Sequence, residues 1–319
     1  MLSVKSPYAM LHHPLFQLDS RRASWAWSSQ RLRNYSWGIA ALVHMVVFVV
    51  WALLLLVYMV ATQNQGSFFV DTLVYDASLS IVGFMMFVVI AANILLDLVS
   101  VQAAVKSINM EMLSGRWDLL RLTALNEAGI VAAKHAGACL RVWRFTAVIA
   151  SARLATVVLW FFATFIVPYL VIGENAIVED LLYGVQEDAI SIVVSGLIVG
   201  LTALIYVLEP FWRMQSMTAL GMVLSAYILH IPLATLAAMA TILAMWLLQL
   251  LIVLALLFGL GFGFGLVLAP FFFMDTSLVP GLLVVLLACA ITCATIYGFY
   301  AIIQTWSLRR VRYRILKSN

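Results

Sequence analysis

The residue types that carry chemistry in enzymes are sparse in this sequence, and their spacing is not that of a catalytic site. Among the five histidines only His12 and His13 are neighbours, and adjacent side chains diverge on a helix. Cys289 and Cys293 have helical i, i+4 spacing within an apolar run, where cysteine mainly fills space. The sequence has no His-Glu-x-x-His pair and no Gly-x-Ser-x-Gly elbow. It therefore predicts neither a metal site nor a nucleophilic enzyme.

A loop that binds nucleotide phosphates is also missing from the sequence. Such a loop ends in Gly-Lys, whereas Lys5, Lys106, Lys134 and Lys317 follow Val, Val, Ala and Leu. The alternating glycines of 259–265 lie inside an apolar stretch, so close helix packing or a kink explains them better than a dinucleotide site. We expect no cofactor in this chain, and ATP could drive it only through another chain.

Composition shows what kind of element must position any functional residue. Hydrophobic residues make up 65% and charged residues 10% of the 319 residues, against about half and about a quarter in soluble domains. So few charges cannot cover a water-facing surface, which predicts an all-α polytopic membrane protein. The net charge of +4 comes from Lys and Arg that flank apolar runs. We therefore expect the lipid bilayer as a partner, and no nucleic acid.

Apolar runs long enough to cross a bilayer, about 20 residues each, divide the chain. We predict about six transmembrane helices, at 38–61, 77–105, 145–172, 189–208, 233–268 and 281–306. They form one transmembrane domain over 37–306, between a cytoplasmic segment 1–36 and a basic cytoplasmic tail 307–319. Residues 221–231 are predicted as a separate cytoplasmic or interfacial helix, with Pro232 opening the fifth span.

The placement of the basic residues predicts the orientation of these spans. All 18 Lys and Arg residues lie outside the loops that follow the first, third and fifth spans, and these loops carry acidic residues instead. Cytoplasmic loops of membrane proteins are enriched in Lys and Arg. We therefore expect an integral protein of the cell membrane, in bacterial terms the inner membrane, with both termini in the cytoplasm.

The segment between Pro14 and Trp37 mixes arginines with apolar and indole side chains, including Arg21, Arg22 and Trp25. Cationic groups beside indole rings suit a helix that lies in the headgroup layer. The segment predicts an amphipathic elbow helix before the first span. An ordinary basic flank is the alternative.

Three polar residues fall within the predicted spans. Asp97 lies in the second span with Asn93 one turn earlier, and Arg153 lies in the third span. An ionisable group at such a depth costs roughly 2.5–3.5 kcal/mol, so each should face protein or water. We expect Asp97 and Arg153 to form a neutralising pair near Asn93. Snorkelling of Arg153 to the headgroups is the alternative.

The connection between the second and third spans is too long for a simple turn. Ser114-Gly115 is expected to end one helix, and Asn126 to cap the next, with Glu127 in its first turn. Between them, apolar residues alternate with charged ones, which predicts a short amphipathic helix. Such a helix suits a groove on a partner protein, and an interfacial helix that anchors on headgroups is the alternative.

The same connection carries a resemblance to a known family. The pattern Glu111-x-x-x-Gly115-x-x-Asp118-Leu119-Leu120, continued by Asn126 and Lys134, resembles a segment of ABC-2 type permeases, the membrane subunits of ATP-binding-cassette exporters. His13-Pro14-Leu15 is similar to the start of such permeases. Glu209-Pro210-Phe211-Trp212-Arg213 resembles the cytoplasmic turn after their fourth span.

This resemblance implies a permease half that pairs with a second half, as a homodimer or a heterodimer, and with cytoplasmic ATPases that bind ATP and Mg. The connection would then be the coupling helix held by an ATPase. The coupling residues implied are Glu111, Gly115, Arg116, Trp117, Asp118, Arg121, Asn126, Glu127 and Lys134. Two other functions are kept as alternatives, namely a structural or assembly subunit that transports nothing, and a secondary transporter driven by an ion gradient.

Overall fold

The computed structural model describes residues 13–19, 29–62, 67–114, 127–166, 174–228, 230–272 and 279–317. Every element in these ranges is helical. In a bilayer core the backbone must satisfy its own hydrogen bonds, which favours helices over any open structure. The helices are α1 (Pro14–Asp19), α2 (Ser29–Thr62), α3 (Ser67–Leu113), α4 (Glu127–Phe161), α5 (Glu174–Tyr227), α6 (Ile231–Phe272) and α7 (Val279–Lys317), and a π-helical turn, Phe162–Ile166, follows α4.

Five stretches of the described residues are long and apolar enough to cross a membrane, as expected of a helical membrane protein. They are Arg33–Val57, Asp76–Val105, Glu127–Thr164, Pro232–Leu256 and Leu286–Ile315. Each overlaps one of the predicted spans. The predicted span at 189–208 lies inside α5, a continuous helix of 54 residues.

The helix α5 corrects two expectations about the middle of the chain. The Glu209–Arg213 stretch is not a turn, because α5 runs through Pro210 without interruption. Residues 221–227 are not a separate helix either, since they form the last turns of α5. This helix ends at Tyr227 and α6 begins at Ile231, so Pro232 lies in the first turn of α6, the position that proline tolerates best.

The long helices α2 to α7 alternate in direction. Where α3 contacts α5, the residue numbers of both helices rise together, so these helices are parallel. Where α4 contacts α5, the numbers of one helix rise as those of the other fall, so these helices are antiparallel. Helix α2 is parallel to α4, α6 is antiparallel to α3, and α7 is parallel to α5. Two contacts define each direction. They are Asp97–Arg213 and Asn109–Ser225 for α3 and α5, Arg153–Glu209 and His135–Thr218 for α4 and α5, and Ser36–Trp143 and Trp51–Phe162 for α2 and α4. For α3 and α6 they are Asp97–Trp246 and, just before α6 begins, Asn109–Ile228, and for α5 and α7 they are Glu209–Tyr300 and Gln215–Gln304.

The largest apolar core lies at one end of the bundle, where α3 ends and α4 begins. Both terminal segments contribute to it. Leu15 and Phe16 of α1 are 7% and 1% exposed, so this first part of the predicted elbow packs against protein rather than headgroups. Of the rest of the predicted elbow segment, residues 20–28 lie outside the described residues, and residues 29–37 form the start of α2. At the other terminus, α7 continues to Lys317 and buries Val311 and Ile315 in the same core.

Helices α3 and α5 cross in close contact at Gly221. A Cβ atom on Gly221 would lie 2.6 Å from the Val101 carbonyl oxygen, so only glycine permits this approach. One turn later, the Ser225 hydroxyl oxygen accepts hydrogen bonds from the backbone N–H groups of Ile108 and Asn109, at 3.1 and 2.8 Å. The two helices are therefore joined by polar contacts as well as by packing.

Candidate functional site

Four charged side chains meet inside the helix bundle, at a level between the apolar core and the far ends of the helices. Asp97 comes from α3, Arg153 from α4, and Glu209 and Arg213 from α5. We call these four residues the charged cluster. Their formal charges cancel, which is the condition under which ionised groups are tolerated away from water.

Asp97 and Arg213 form the most buried pair of the cluster. The Nε and Nη2 atoms of Arg213 lie 2.7 and 2.8 Å from the two carboxylate oxygens of Asp97, in the two-pronged geometry that suits guanidinium and carboxylate. Asp97 is fully buried, and the indole N–H of Trp246 on α6 donates to it at 2.9 Å. The Arg213 guanidinium also lies 4.6 Å from the centroid of the Trp246 ring, which adds a cation–π contact.

Glu209 links this pair to Arg153. Its Oε1 accepts hydrogen bonds from Arg213 Nη1, at 3.0 Å, and from the hydroxyl of Tyr300 on α7, while its Oε2 lies 2.8 Å from Arg153 Nη2. Gln249 of α6 accepts a further hydrogen bond from Arg213 at 3.0 Å. Every long helix except α2 thus contributes a side chain to one polar network.

Arg153 is held at the other edge of this network. Its Nη2 donates to Asn93 Oδ1 at 2.8 Å, its Nη1 donates to the Tyr206 carbonyl oxygen, and its guanidinium lies 4.6 Å from the centroid of the Tyr206 ring. Arg153 is only 3% exposed, so it does not snorkel to the headgroups in this structure. Among the described residues, its Nε–H has no hydrogen-bond acceptor.

The structure brings the three predicted intramembrane residues together but changes their pairing. The expected ion pair between Asp97 and Arg153 is wrong, because Asp97 pairs with Arg213 and Arg153 pairs with Glu209. The expected neighbour Asn93 does contact Arg153. The error arose from assigning Glu209 and Arg213 to a turn. Their i, i+4 spacing between apolar residues was the sequence signal that places both on one face of a helix.

A cavity of about 380 Å³ adjoins the charged cluster on the side away from the α3–α4 connection. Its walls are mainly apolar or small residues of α3, α5 and α7, and Asn93, Arg153 and Glu209 lie at its charged end. Its volume falls within the range of about 300–1,000 Å³ typical of small-molecule sites. The cavity and the cluster together form the candidate functional site. The other lining residues are Ile90, Thr202, Ile205, Tyr206, Ala288, Cys289, Thr292 and Ile296.

A second polar group lies in the apolar core. The Thr218 hydroxyl oxygen lies 3.1 Å from both the His135 Nε2 and the Cys139 Sγ, and His135 also contacts the Gln215 carbonyl oxygen at 3.0 Å. His135 and Cys139 are 3% and 0% exposed. Their contacts fasten α4 to α5, and their burial leaves no room for a substrate.

Two of the residues implied in coupling contact each other. Lys134 Nζ lies 2.9 Å from Glu111 Oε1, so the end of α3 is tied to the first part of α4. Helix α3 ends at Leu113, and α4 begins at Glu127 with that acidic residue in its first turn. The other implied coupling residues, Gly115, Arg116, Trp117, Asp118, Arg121 and Asn126, lie outside the described residues.

The described part of the chain has the architecture of a helical membrane protein with a charged interior. Within it, no three His, Cys, Asp or Glu side chains are grouped closely enough to hold a metal ion. No protein-family model matches the chain, and comparisons with curated proteins and with solved structures give no match either.

Proposed function

We propose that this chain is the membrane-embedded permease subunit of an ATP-driven exporter of the ABC-2 type. In this proposal it provides a substrate pathway, and a separate cytoplasmic chain binds ATP and Mg. It pairs with a second permease half. The support is the motif in the α3–α4 connection, the polytopic helical architecture, and a cavity that adjoins a neutral charged cluster.

One structural observation carries the proposal. The two helices that flank the motif-bearing connection also hold the charged end of the cavity. On α3, Glu111 is near the connection and Asn93 lines the cavity, and on α4 the corresponding residues are Lys134 and Arg153. About 27–29 Å of helix separates the two sites on each helix. A displacement imposed on the connection would therefore be transmitted to the cavity through continuous helices.

The alternating helix directions support the predicted topology of six spans. If α5 crosses the bilayer beside α3, the chain crosses six times and both termini lie on the same side. The distribution of Lys and Arg then places that side in the cytoplasm, with the α3–α4 connection exposed to a cytoplasmic ATPase.

Mass spectrometry of the complex after gentle extraction from its native membrane tests the proposal. We expect a cytoplasmic ATPase in stoichiometric amount, together with a second permease half. Changing Trp117 to Ala and Asp118 to Lys should release the ATPase, because both lie in the segment that the resemblance assigns to coupling. Asp275→Lys, in a loop predicted to lie on the opposite side, is the control and should retain it. An intact complex without any ATPase would contradict the proposal.

The charged cluster also favours a second candidate, a secondary transporter driven by an ion gradient. Carboxylates inside a helix bundle commonly mark ion or proton pathways, and both Asp97 and Glu209 lie there. Reconstituted vesicles separate the two candidates. A secondary transporter would move its substrate without ATP and would respond to a pH gradient, whereas an ABC permease alone would not.

A further inference from the structure

We propose that the cavity beside the charged cluster binds an uncharged amphiphile, with its hydroxyl-bearing polar end toward Asn93, Arg153 and Glu209 and its hydrocarbon part against α3, α5 and α7. This inference deepens the proposed function by naming the class of cargo. The inference that this ligand is transported rests on the proposed function, whereas its binding in the cavity needs no ATPase.

The shape and chemistry of the walls indicate the apolar part of the ligand. Ile90, Ile205, Ala288 and Ile296 are among the residues that line the cavity. A small hydrophilic solute would have to give up its hydration against these side chains, which is unfavourable. A hydrocarbon chain or ring system would replace water there with favourable contacts.

The charged end indicates the polar part. Only 3% of Arg153 is exposed, and its Nε–H has no hydrogen-bond acceptor among the described residues. The Glu209 Oε2 atom forms an ion pair with Arg153 Nη2 at a distance of 2.8 Å. Both atoms are themselves closed to solvent, so the ion pair does not bond a ligand through them; together with Asn93 it forms a neutral polar wall at this end of the cavity. A polar group loses less free energy against such a wall than against hydrocarbon.

Charge selects among the polar groups that could occupy this end. Arg153 and Glu209 neutralise each other, so a ligand with net charge would bring an uncompensated charge into the bundle. An anion would approach the Glu209 carboxylate, and a cation would approach the Arg153 guanidinium. A hydroxyl group both accepts and donates a hydrogen bond and carries no charge. A monoacylglycerol has this chemistry and is the probe we choose.

Cys289 lines the cavity and reports on its occupancy. In a variant whose remaining cysteines are replaced by Ala, the rate of reaction of Cys289 with a maleimide should fall when the cavity is filled. Cys293 lies one helical turn further along α7 and does not line the cavity, so a variant that retains only Cys293 is the matched control.

The experiment uses the full chain in phosphatidylcholine vesicles that contain increasing amounts of monooleoylglycerol. At about ten times the dissociation constant we expect the Cys289 rate to fall about tenfold, because the unoccupied fraction is 1/(1 + [L]/Kd). The Cys293 rate should stay constant. Hexadecane, oleate and oleylamine at the same mole fractions should protect Cys289 less. Equal protection by hexadecane, stronger protection by either charged amphiphile, or no protection by monooleoylglycerol would overturn the proposal.

Two substitutions locate the binding without removing a charge from the cluster. Ala288→Leu adds bulk to the cavity wall and should abolish the protection, whereas Ile291→Phe adds bulk to an exposed face of the same helix and should leave it intact. Protection that survives Ala288→Leu would place the ligand elsewhere. The outcome also separates the two proposals, because protection without any co-purified ATPase would support the site while contradicting the exporter.

Discussion

The bundle is packed differently on the two sides of the charged cluster, although the same helices form both sides. Toward the α3–α4 connection, Gly221 of α5 lies so close to α3 that a Cβ atom would meet the Val101 carbonyl oxygen at 2.6 Å. Toward the cavity, the same two helices line unfilled space of about 380 Å³ instead. We call these regions the packed half and the cavity half.

This difference indicates where the structure can change. In the packed half, close contact and hydrogen bonds fix α3 and α5 as a unit, so these helices should move together. In the cavity half there is unfilled space next to Arg153, so a small displacement alters the volume without breaking a tight interface. The charged cluster lies at the boundary and determines the relative positions of the helices there.

The largest effect on stability is expected when the ion pair between Asp97 and Arg213 is broken. Arg213→Met removes the partner of the fully buried Asp97 carboxylate, and we expect the free energy of unfolding to fall by about 3–5 kcal/mol. Adding Asp97→Asn should recover part of the loss, because no uncompensated charge then remains. Denaturant unfolding in detergent micelles measures both. Arg310→Met, at an exposed position on α7, is the control, and a similar loss there would contradict the prediction.

The close approach of α3 and α5 in the packed half is tested by a pair of glycines on α5. Gly221→Ala should lower the free energy of unfolding by about 1–3 kcal/mol, because its methyl group meets backbone atoms that cannot move aside. Gly200→Ala, at an exposed position of the same helix, is the control and should not destabilise the protein. Equal effects of the two substitutions on thermal unfolding would contradict the close contact at Gly221.

A smaller effect is expected from the polar contacts of the packed half. Ser225→Ala removes the hydroxyl that accepts from two backbone N–H groups of α3, and we expect a loss of about 1–2 kcal/mol. Thr295→Ala on α7 removes a hydroxyl that bonds only within its own helix and should cost less. The free energies of unfolding of both variants are measured by the same assay. A loss no greater than that of Thr295→Ala would mean that Ser225 does not fasten α3 to α5.

The smallest effect on stability is expected in the cavity half. Ala288→Leu places a larger side chain where there is already space, and the free energy of unfolding should change by less than about 1.5 kcal/mol. Its effect should instead be on ligand binding. A severe loss of stability would mean that this region is as tightly packed as the other.

Sequence reasoning predicted the helical membrane architecture well, because composition and apolar run length determine it directly. It placed Pro232 at the start of a helix and the end of α3 near Ser114, since proline and glycine have strong local preferences. It misjudged the interior of α5. The family resemblance implied a turn at Glu209–Arg213, but α5 continues through Pro210, and a helix tolerates proline when neighbouring groups satisfy the backbone.

The site was only partly predictable for the same reason. Asp97, Asn93 and Arg153 were recognised as polar residues inside apolar spans, which is a local property. Their partners depend on which helices are neighbours, a tertiary property that no single segment encodes. The sequence alone could not reveal that α5 brings Glu209 and Arg213 between α3 and α4.

The central claim is that events at the α3–α4 connection alter the cavity through these two helices. The most direct test is the rate of Cys289 modification in native membranes, with and without ATP and Mg, in the variant that retains this cysteine alone. We predict that ATP changes the Cys289 rate and that Asp118→Lys abolishes the change while leaving the rate without ATP unaltered. A Cys289 rate that is the same with and without ATP, in membranes where the ATPase of the proposed exporter is active, would contradict the claim.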